Sequence, residues 1–345
     1  MPAPAARHAL LARSGGSRLT DSFETFASRL PLARASIDRD HLSRALGLEA
    51  VLADPRARAL VLHDRKVLLA GPARIALLEA AHAPAYEFGL YLGRSVDDEP
   101  DLPLGAPIVA LVIDETTAAD LDTAALDTAE PESDAALWGD LRLLGAELSV
   151  RDAGLFTEAL ALANWHTSYE FSPRTGHPSI PDAAGWTRRD TVTGTELFPR
   201  TDAAIIVGIT DDDDRLLLGS NALWESNRFS LLAGFVEPGE SLEAAVIREV
   251  FEESGVRVVD PVYKGSQPWP FPASLMVGFR ARVAPGGSTE GRPDGDEILE
   301  LRWFTREELA AANAAGEIRL PGTTSIARAI IDDWYGGELP DGGRW

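Results

Sequence analysis

The strongest constraint on this chain is a glutamate-rich segment, GFVEPGESLEAAVIREVFEESGV, at residues 234–256. Ser241 is a favourable N-cap residue, and Gly255 is suited to the left-handed conformation that ends many helices. A helix is therefore predicted over residues 242–254. Pro238 and Gly239 predict a tight turn just before it, which would fold the preceding loop back toward the helix.

The predicted helix carries an apolar arc beside an acidic one when its residues are placed about 100° apart. The apolar arc contains Val246, Ile247, Val250 and Phe251, and the acidic arc contains Glu249, Glu252 and Glu253. A charge run is usually a solvated helix face, but three carboxylates this close repel one another without cations. A hard divalent cation with oxygen ligands, Mg²⁺ or Mn²⁺, would stabilise the ionised cluster. The spacing thus indicates metal-dependent phosphate chemistry.

Composition narrows the class of protein further. With 345 residues, the chain is expected to form two or three domains. Its net charge of −22 argues against a protein that holds nucleic acid by neutralising phosphates. It has no cysteine, which excludes disulfides and thiolate metal sites. Residues 1–16 lack the apolar stretch of a secretory signal, and no apolar run is long enough to cross a bilayer, so a cytoplasmic protein without a membrane partner is expected.

The pattern of the chain divides it into three regions. Residues 1–164 predict a mixed α+β domain, with strands in 57–70 around a turn at Asp64 and Arg65, a buried strand in 106–114 and a helix in 153–171. Residues 114–136 are acidic and lack bulky apolar residues, which is typical of a mobile insertion or a weak helix. A Gly/Pro/Thr-rich connector follows at 172–199. Beyond it, strands at 203–211, 215–220, 273–283 and 297–304, with helices near 306–316 and 325–337, predict an α/β domain.

The glutamate segment resembles the Nudix box, G-x5-E-x7-R-E-U-x-E-E-x-G-U, in which U is a bulky apolar residue. Every specified position is filled, by Gly234, Glu240, Arg248, Glu249, Val250, Glu252, Glu253, Gly255 and Val256. The resemblance implies an α/β/α sandwich whose box glutamates bind divalent metals at a pyrophosphate. In such a fold Arg248 would anchor neighbouring glutamates through charge-assisted hydrogen bonds.

A second motif bears on the substrate. The stretch SQPWPFPASLM at residues 266–276 resembles the signature of NADH pyrophosphatases, the Nudix branch that cleaves NAD(H) to AMP and NMN(H). Its prolines would stiffen a pocket wall with aromatic faces, although Trp269 and Phe271 could instead be core residues. The resemblance is strong from about Trp165 to Tyr335 and looser upstream.

The resemblance also implies roles for individual residues. Metal ligands would be the carbonyl of Ala233 together with Glu249, Glu252, Glu253 and Glu297; Asp296 and Glu300 are local alternatives to Glu297. Catalytic residues would be Arg248, Glu252, Glu253 and Glu297, with Glu252 or Glu297 as the general base. Substrate contacts would be Phe198, Phe235, Gln267, Pro268, Trp269, Pro270, Phe271, Pro272, Ala273, Ser274 and Ala327, with Arg142 as a phosphate or ribose contact.

The chain departs from the family at its usual four-cysteine zinc ribbon. The corresponding places hold Ser172, Thr175, Asp190 and Thr193, and hydroxyls are poor zinc ligands beside thiolates. A site rebuilt from His166, His177 and Asp182 is a weaker alternative. We therefore expect a degenerate, zinc-less ribbon over residues 165–198, held by packing of Trp165, Phe171, Trp186 and Phe198, between the N-terminal domain and a Nudix domain at 199–345.

The function expected from these features is Mg²⁺- or Mn²⁺-dependent hydrolysis of the NAD(H) pyrophosphate by a homodimer in which Phe198 completes the partner's pocket. NAD-capped RNA presents the same pyrophosphate and would be a secondary substrate. The alternatives are a Nudix hydrolase acting on another nucleotide diphosphate, such as ADP-ribose, and a catalytically silent NAD(H)-binding protein.

Overall fold

The computed structural model describes residues 26, 28–128 and 138–340. The first residues, considered above for a signal sequence, lie outside these ranges. Within them, no helix combines the length and the apolar character needed to cross a membrane.

Seven α-helices and seventeen strands are described. The helices are α1 (Leu48–Leu52), α2 (Glu115–Thr128), α3 (Leu141–Leu144), α4 (Val150–Ser168), α5 (Leu242–Ser254), α6 (Arg306–Ala314) and α7 (Ile326–Tyr335). The strands are β1 (Ile37–Asp38), β2 (Arg58–His63), β3 (Lys66–Gly71), β4 (Arg74–Ile75), β5 (Leu78–Glu79), β6 (Phe88–Ser95), β7 (Pro107–Val112), β8 (Trp138–Asp140), β9 (Ser179–Asp182), β10 (Thr187–Asp190), β11 (Glu196–Leu197), β12 (Asp202–Thr210), β13 (Leu216–Asn221), β14 (Leu232–Phe235), β15 (Val258–Trp269), β16 (Ser274–Val283) and β17 (Ile298–Phe304).

The first sheet has eight strands in the order β1-β6-β7-β2-β3-β4, with β5 added to β2 and β8 to β3. Its β2 and β7 are parallel. Successive side chains of a strand point to opposite faces, so Leu60 packs toward α4 whereas Ala59 packs toward α1. The sheet is therefore covered by a helix on each face, which keeps its apolar central strands out of water.

The last sheet has the order β15-β16-β12-β13-β17, with β14 added to β12. Helix α5 covers the face that contains Ile205 and Val207, and α7 covers the face that contains Ile206. This arrangement confirms the α/β/α sandwich that the resemblance implied. Strand β12 pairs with β13 at Ile209 and Thr210, and with β14 over Ala204–Val207, so the sheet forks there. The fork leaves room for a cavity between β13 and β14.

The same strand connectivity occurs twice in the chain. Strands β2, β3, β5, β6, β7 and β8 are joined in the same order and paired in the same way as β12, β13, β14, β15, β16 and β17. The second copy inserts α5 between β14 and β15, whereas the first has only a short turn at Ala80–His82 between β5 and β6. Helix α1 covers the corresponding face of the first copy instead. What repeats is the strand connectivity and not the sequence, so no internal sequence repeat predicted it.

Most local predictions are confirmed and one is revised. The turn at Asp64 and Arg65 joins β2 to β3 with both residues at positive φ, and the helix at 242–254 has the predicted bounds. Residues 114–136, predicted as an insertion or weak helix, contain α2; their last part lies outside the described residues. The connector predicted at 172–199 contains a three-stranded sheet, β9–β11, because short strands between turns leave little periodic signal.

Candidate active site

Helix α5 is fixed at both ends by the residues that predicted it. The Ser241 hydroxyl accepts a hydrogen bond from the amide of Ala244 at 3.1 Å, and Gly255 lies at φ 69°. Before the helix, the amide of Glu240 donates to the carbonyl of Glu237 at 3.1 Å across a turn that contains Gly239 at φ 91°. The turn brings Glu240 back toward the glutamates of the helix.

The predicted apolar arc of α5 is only half correct. Val246 and Val250 are fully buried, but Ile247 and Phe251 are 45% and 44% exposed. The buried face is rotated toward the acidic arc and includes Glu253. A carboxylate therefore lies on the buried face of the helix, which a helical wheel based on hydrophobicity alone does not predict.

Arg248 connects the glutamates of this region. Its guanidinium binds both oxygens of Glu240, at 2.9 and 2.8 Å, and lies 2.9 Å from Glu249 and from Glu252. It also donates to the carbonyl of Phe235 at 3.0 Å. The hydrogen bond with Glu240 is the largest cause of a raised arginine pKa and of a lowered pKa at Glu240. Arg248 therefore ties the loop before the helix to the helix itself.

Gly234 leaves space for one of these carboxylates. A Cβ atom at this position of β14 would lie 2.0 Å from Cδ of Glu249, a distance no side chain tolerates. Burial is the main cause of a raised pKa at Glu249, and the guanidinium of Arg248 partly offsets it. The first glycine of the box is thus required by close contact, since Gly234 has an ordinary strand conformation.

Glu253 is the most deeply placed carboxylate. The residue is 4% exposed, and among the described residues its Oε2 atom has no hydrogen-bond partner. Burial, followed by the charges of Glu297 and Glu249, raises its pKa to about 8. A buried oxygen without a partner beside other carboxylates fits a divalent cation by donor chemistry. The described residues nevertheless contain no preassembled group of three ligands, because Arg248 engages Glu249 and the Asn221 amide donates to Glu297 at 3.2 Å.

A cavity of about 530 Å³ lies over the fork of the sheet, within the size range of small-molecule sites. Six residues predicted from the sequence line it: Arg142, Ala233, Glu253, Trp269, Glu297 and Ala327. Asp296 and Glu300, the alternatives to Glu297, are not among its lining residues, and Glu300 pairs with Arg302 at 2.6 Å. Other lining residues belong to no recognised motif and were not predicted, among them Glu147, Asn221, Trp224 and Arg228.

The other predicted site residues lie outside the cavity lining. Glu249 and Glu252 are held at Arg248, while Phe198 and Phe235 are exposed, at 68% and 60%. Except for Trp269, the residues of the stretch Gln267–Ser274 do not line it either: Gln267, Pro268, Pro270, Phe271, Pro272, Ala273 and Ser274 form the end of the β15–β16 hairpin. The predicted loop is therefore partly strand.

This hairpin joins the two parts of the molecule. The side-chain amide of Gln267 is buried, donates to the carbonyl of Thr324 at 2.9 Å and accepts from the amide of Leu32 at 3.3 Å. Asn164 of α4 donates to the carbonyl of Pro270 at 2.8 Å. The guanidinium of Arg142 lies 4.2 Å from the centre of the Phe271 ring. Gln267 thus places the Thr324 loop, which itself lines the cavity.

The ribbon is held by hydrogen bonds centred on Asp190, and the expectation that packing alone holds it was wrong. One carboxylate oxygen accepts from the amides of Val192 and Thr193 at 2.9 and 2.8 Å, and the other accepts from the hydroxyl of Thr175 at 2.5 Å. His177 lies 3.3 Å away. A carboxylate therefore connects two of the turns that would carry zinc ligands, whereas Phe171 and Phe198, expected to pack there, are exposed.

The residues of the rebuilt-site alternative are engaged separately. His166 donates from Nε2 to the carbonyl of Gly185 at 2.7 Å, while Nδ1 accepts from Arg188 at 3.0 Å. Asp182 pairs with Arg189. With His177 at Asp190, these donors do not converge, and the described residues of the ribbon do not fit zinc.

The geometry agrees with comparisons with known proteins. Residues 199–321 match the model of the NUDIX domain, and residues 56–165 match that of the NADH pyrophosphatase-like rudimentary NUDIX domain. The chain belongs to the NADH pyrophosphatase family of Nudix proteins. The repeated connectivity agrees with a rudimentary first domain, because the first copy has the sheet of the second but no helix equivalent to α5.

Named relatives of this Nudix chain include NAD-capped RNA hydrolases. The protein NudC of Mycobacterium bovis is 48% identical over 203 residues, covering 56% of this chain and 64% of that protein. NUDT12 of Homo sapiens is 36% identical over 200 residues, covering 54% and 43%. The chain thus matches less than two thirds of the length of either relative. A NUDIX hydrolase structure from Nitrosomonas europaea is 20% identical, covers 49% of this chain and 95% of its own, and has a TM-score of 0.38.

Proposed function

We propose that this chain hydrolyses the pyrophosphate of NAD(H) to AMP and NMN(H) with a bound divalent cation. One observation carries the proposal: Glu253, whose buried Oε2 atom has no hydrogen-bond partner among the described residues, and Trp269, from the second motif, line the same cavity. The first motif, at residues 234–256, and the second, at residues 266–276, thus both contribute to one cavity. The names of the relatives support the same substrate class.

Divalent cations are the general cofactors of Nudix enzymes, and the donor set here favours Mg²⁺ or Mn²⁺. The Ala233 carbonyl and the carboxylates of Glu249, Glu253 and Glu297 would hold the cation, with Glu252 at the edge. When bound, the cation would neutralise charge on the phosphate oxygens and lower the pKa of a bound water. The residues around it provide orientation, because Arg248 fixes Glu249 and the loop that follows β14.

Of the two candidate bases, we propose Glu297. It lines the cavity, whereas Glu252 lies outside the lining and is 2.9 Å from the Arg248 guanidinium. A general base must come within hydrogen-bond reach of the water it activates. Glu297 meets this condition better in the geometry described.

The experiment is incubation of purified protein with NADH and Mg²⁺ or Mn²⁺, followed by chromatography of the products. We expect AMP and NMNH in equal amounts, lost with EDTA and in Glu253→Gln. Glu243→Gln is the matched control, because Glu243 lies exposed in the first turn of the same helix. Intact NADH beside cleaved ADP-ribose would reject the substrate, and no cleavage of either would favour a silent NAD(H)-binding protein.

NAD-capped RNA is a second candidate substrate, favoured by the names of the relatives. The net charge of −22 predicts weak binding to the RNA body. We therefore expect cap hydrolysis that an excess of uncapped RNA does not inhibit. Strong inhibition by uncapped RNA would contradict this view.

The remaining parts of the proposal concern organisation. The family matches at 56–165 and 199–321 support domains at 1–164 and 199–345 with a ribbon at 165–198. The exposed rings of Phe198 and Phe235 support a homodimer in which a partner covers them, testable by light scattering of Phe198→Ala. The Asp190 cluster supports a ribbon without zinc, testable by elemental analysis. A cytoplasmic location rests on the sequence alone.

A further inference from the structure

The cavity extends beyond the residues of both motifs. Trp224 and Arg228, on the segment between β13 and β14, line it together with Glu297. Neither residue belongs to the box or to the SQPWPFPAS stretch, and no periodic pattern singled them out. Because Phe198 and Phe235 are outside the lining, the two indoles of Trp224 and Trp269 are the large aromatic side chains that it contains among the described residues.

Backbone hydrogen bonds hold this segment at both ends. The amide of Ala222 donates to the carbonyl of Glu297 at 2.8 Å, and the amide of Leu223 donates to the Asn221 side chain at 2.9 Å. At the far end, the amide of Phe229 donates to the carbonyl of Arg319 at 3.0 Å. Trp224 is therefore attached through its own loop to the residue proposed as base.

The strand order separates the two indoles. Trp269 ends β15, whereas the Trp224 segment begins after β13, three strands away in the order β15-β16-β12-β13. At the usual strand spacing this is about 14 Å. Ala233, on the β14 branch of the fork, and Glu253 lie in the same cavity, and β14 pairs with the intervening β12. Two aromatic residues separated in this way, in a cavity that Glu253 also lines, match a molecule with a ring at each end and a pyrophosphate in the middle.

The charges at this end also suit a nucleotide. Arg228 lies 3.4 Å from Glu225, and Arg319 lies 3.5 Å from the same carboxylate. Two guanidinium groups thus lie beside one carboxylate at the end of the cavity where Arg228 is a lining residue. Guanidinium groups bind phosphate and ribose oxygens through several parallel hydrogen bonds.

We propose that Trp224 forms the ring-binding wall of a second subsite, which takes one nucleoside half of the dinucleotide while Trp269 faces the other. Arg228 binds the phosphate or ribose of the half at Trp224. The inference rests on the proposed function in that the substrate has two nucleoside halves. It adds a specificity-determining residue that lies outside both motifs.

The test is equilibrium binding of AMP and of NMN by calorimetry, which needs no turnover. Stacking of a base on an aromatic ring is worth a factor of about 5 to 150 in affinity. We expect Trp224→Ala to weaken binding of one mononucleotide by such a factor and to leave the other within about twofold. Trp224→Phe should retain most of the affinity. Leu223→Ala is the control, because Leu223 is 92% exposed on the same loop.

The outcomes separate this inference from the proposed function. Weaker AMP binding would assign the adenosine half to Trp224, and weaker NMN binding would assign the nicotinamide half. Unchanged binding of both, equal loss of both, or a wild-type protein that binds neither would overturn the subsite. If NADH is not cleaved but one mononucleotide depends on Trp224, the subsite stands and the proposed reaction falls. If NADH is cleaved but mononucleotide binding is indifferent to Trp224→Ala, the reaction stands and the subsite falls.

Discussion

Arg248 determines the arrangement of the carboxylates at the scale of single residues. It contacts Glu240, Glu249 and Glu252 and also the backbone of Phe235. Lysine cannot reproduce a planar group that binds two carboxylate oxygens at once. The arginine therefore acts as a structural connector next to the site, in a geometry that depends on its shape as well as its charge.

We expect Arg248→Ala to lower the free energy of unfolding by about 2–3 kcal/mol, because partly buried carboxylates lose their partner. Arg248→Lys should lose less stability, and both variants should lower kcat for NADH. Urea unfolding and steady-state kinetics measure the two effects. A fully stable Arg248→Ala protein would show that the connector role is wrong.

Glu253 is expected to reduce the stability of the metal-free protein. Its buried oxygen lacks a partner among the described residues and faces other carboxylates, so Glu253→Gln should raise the free energy of unfolding by about 1–3 kcal/mol in chelator. The same substitution should abolish hydrolysis and reduce the rise in melting temperature that Mn²⁺ gives the wild type. Thermal melts with and without Mn²⁺ test this, and a less stable variant in EDTA would contradict it.

Glu158 is a second buried carboxylate, far from the box in sequence. Burial raises its pKa to about 7, although Arg39 lies 3.4 Å away and opposes the shift. The folded pKa exceeds the unfolded one of 4.5, so stability is fully present below about pH 4.5 and is lost as pH rises through 7. The loss amounts to about 3 kcal/mol.

Glu158→Gln should remove this dependence. His166 acts in the opposite direction, because burial lowers its pKa to about 4 and stability is lost as pH falls from 6.5. The test is therefore the difference in the free energy of unfolding between variant and wild type, measured by urea unfolding at pH 5 and pH 7.5. A variant whose advantage does not grow with pH would refute the assignment to Glu158.

At the scale of elements, helix α5 was predictable to the residue because its signals are local. Ser241 and Gly255 act within one turn of their own positions. The side of the helix that becomes buried depends instead on the sheet beneath it, and Ile247 and Phe251 accordingly emerged on the surface. Tertiary contacts decide which face of the helix is buried, and the periodicity of the sequence alone does not predict it.

The ribbon gives a prediction about an element without metal ligands. We expect Asp190→Asn to lower the melting temperature, because the carboxylate accepts from Thr175 and from two backbone amides. EDTA should leave the wild-type ribbon unchanged. Val192→Ala is the control, since its side chain is exposed on the same turn.

The same cluster predicts the pH response of the ribbon. The hydrogen bond from Thr175 is the main cause of an Asp190 pKa well below the usual range. Its contribution is therefore present above the unfolded pKa near 3.8 and is lost only as pH falls below it. Unfolding of the ribbon on addition of EDTA at neutral pH would contradict the view that hydrogen bonds to Asp190 hold it.

At the scale of the whole molecule, Gln267 links the N-terminal part, through Leu32, to the Thr324 loop. We expect Gln267→Leu to cost about 2–3 kcal/mol of unfolding free energy, because two buried backbone groups lose their partners. It should also raise KM by displacing a cavity wall. Ser266→Ala, its neighbour, serves as control; unchanged stability in Gln267→Leu would reject the link.

The cavity as a whole was only partly predictable. Glu253 and Trp269 lie in motifs with fixed spacing, so their chemistry could be anticipated from the sequence. Trp224 and Glu147 reach the same cavity through loop geometry and through packing between distant parts of the chain. Neither leaves a pattern in its neighbours, and only the folded arrangement places them together.

The two copies of the sheet differ in how their charged side chains are arranged. In the first copy, the buried Arg151 pairs with Asp101, Glu99 and Asp152, so each of these carboxylates has a cationic partner. The second copy crowds like charges where a cation would be needed to balance them. The first copy can thus stabilise the folded chain, whereas the second copy contains the unfavourable charge arrangement of the candidate active site. Laboratory evolution for heat tolerance should accordingly collect its gains around the carboxylates of the second copy, and lose activity in doing so.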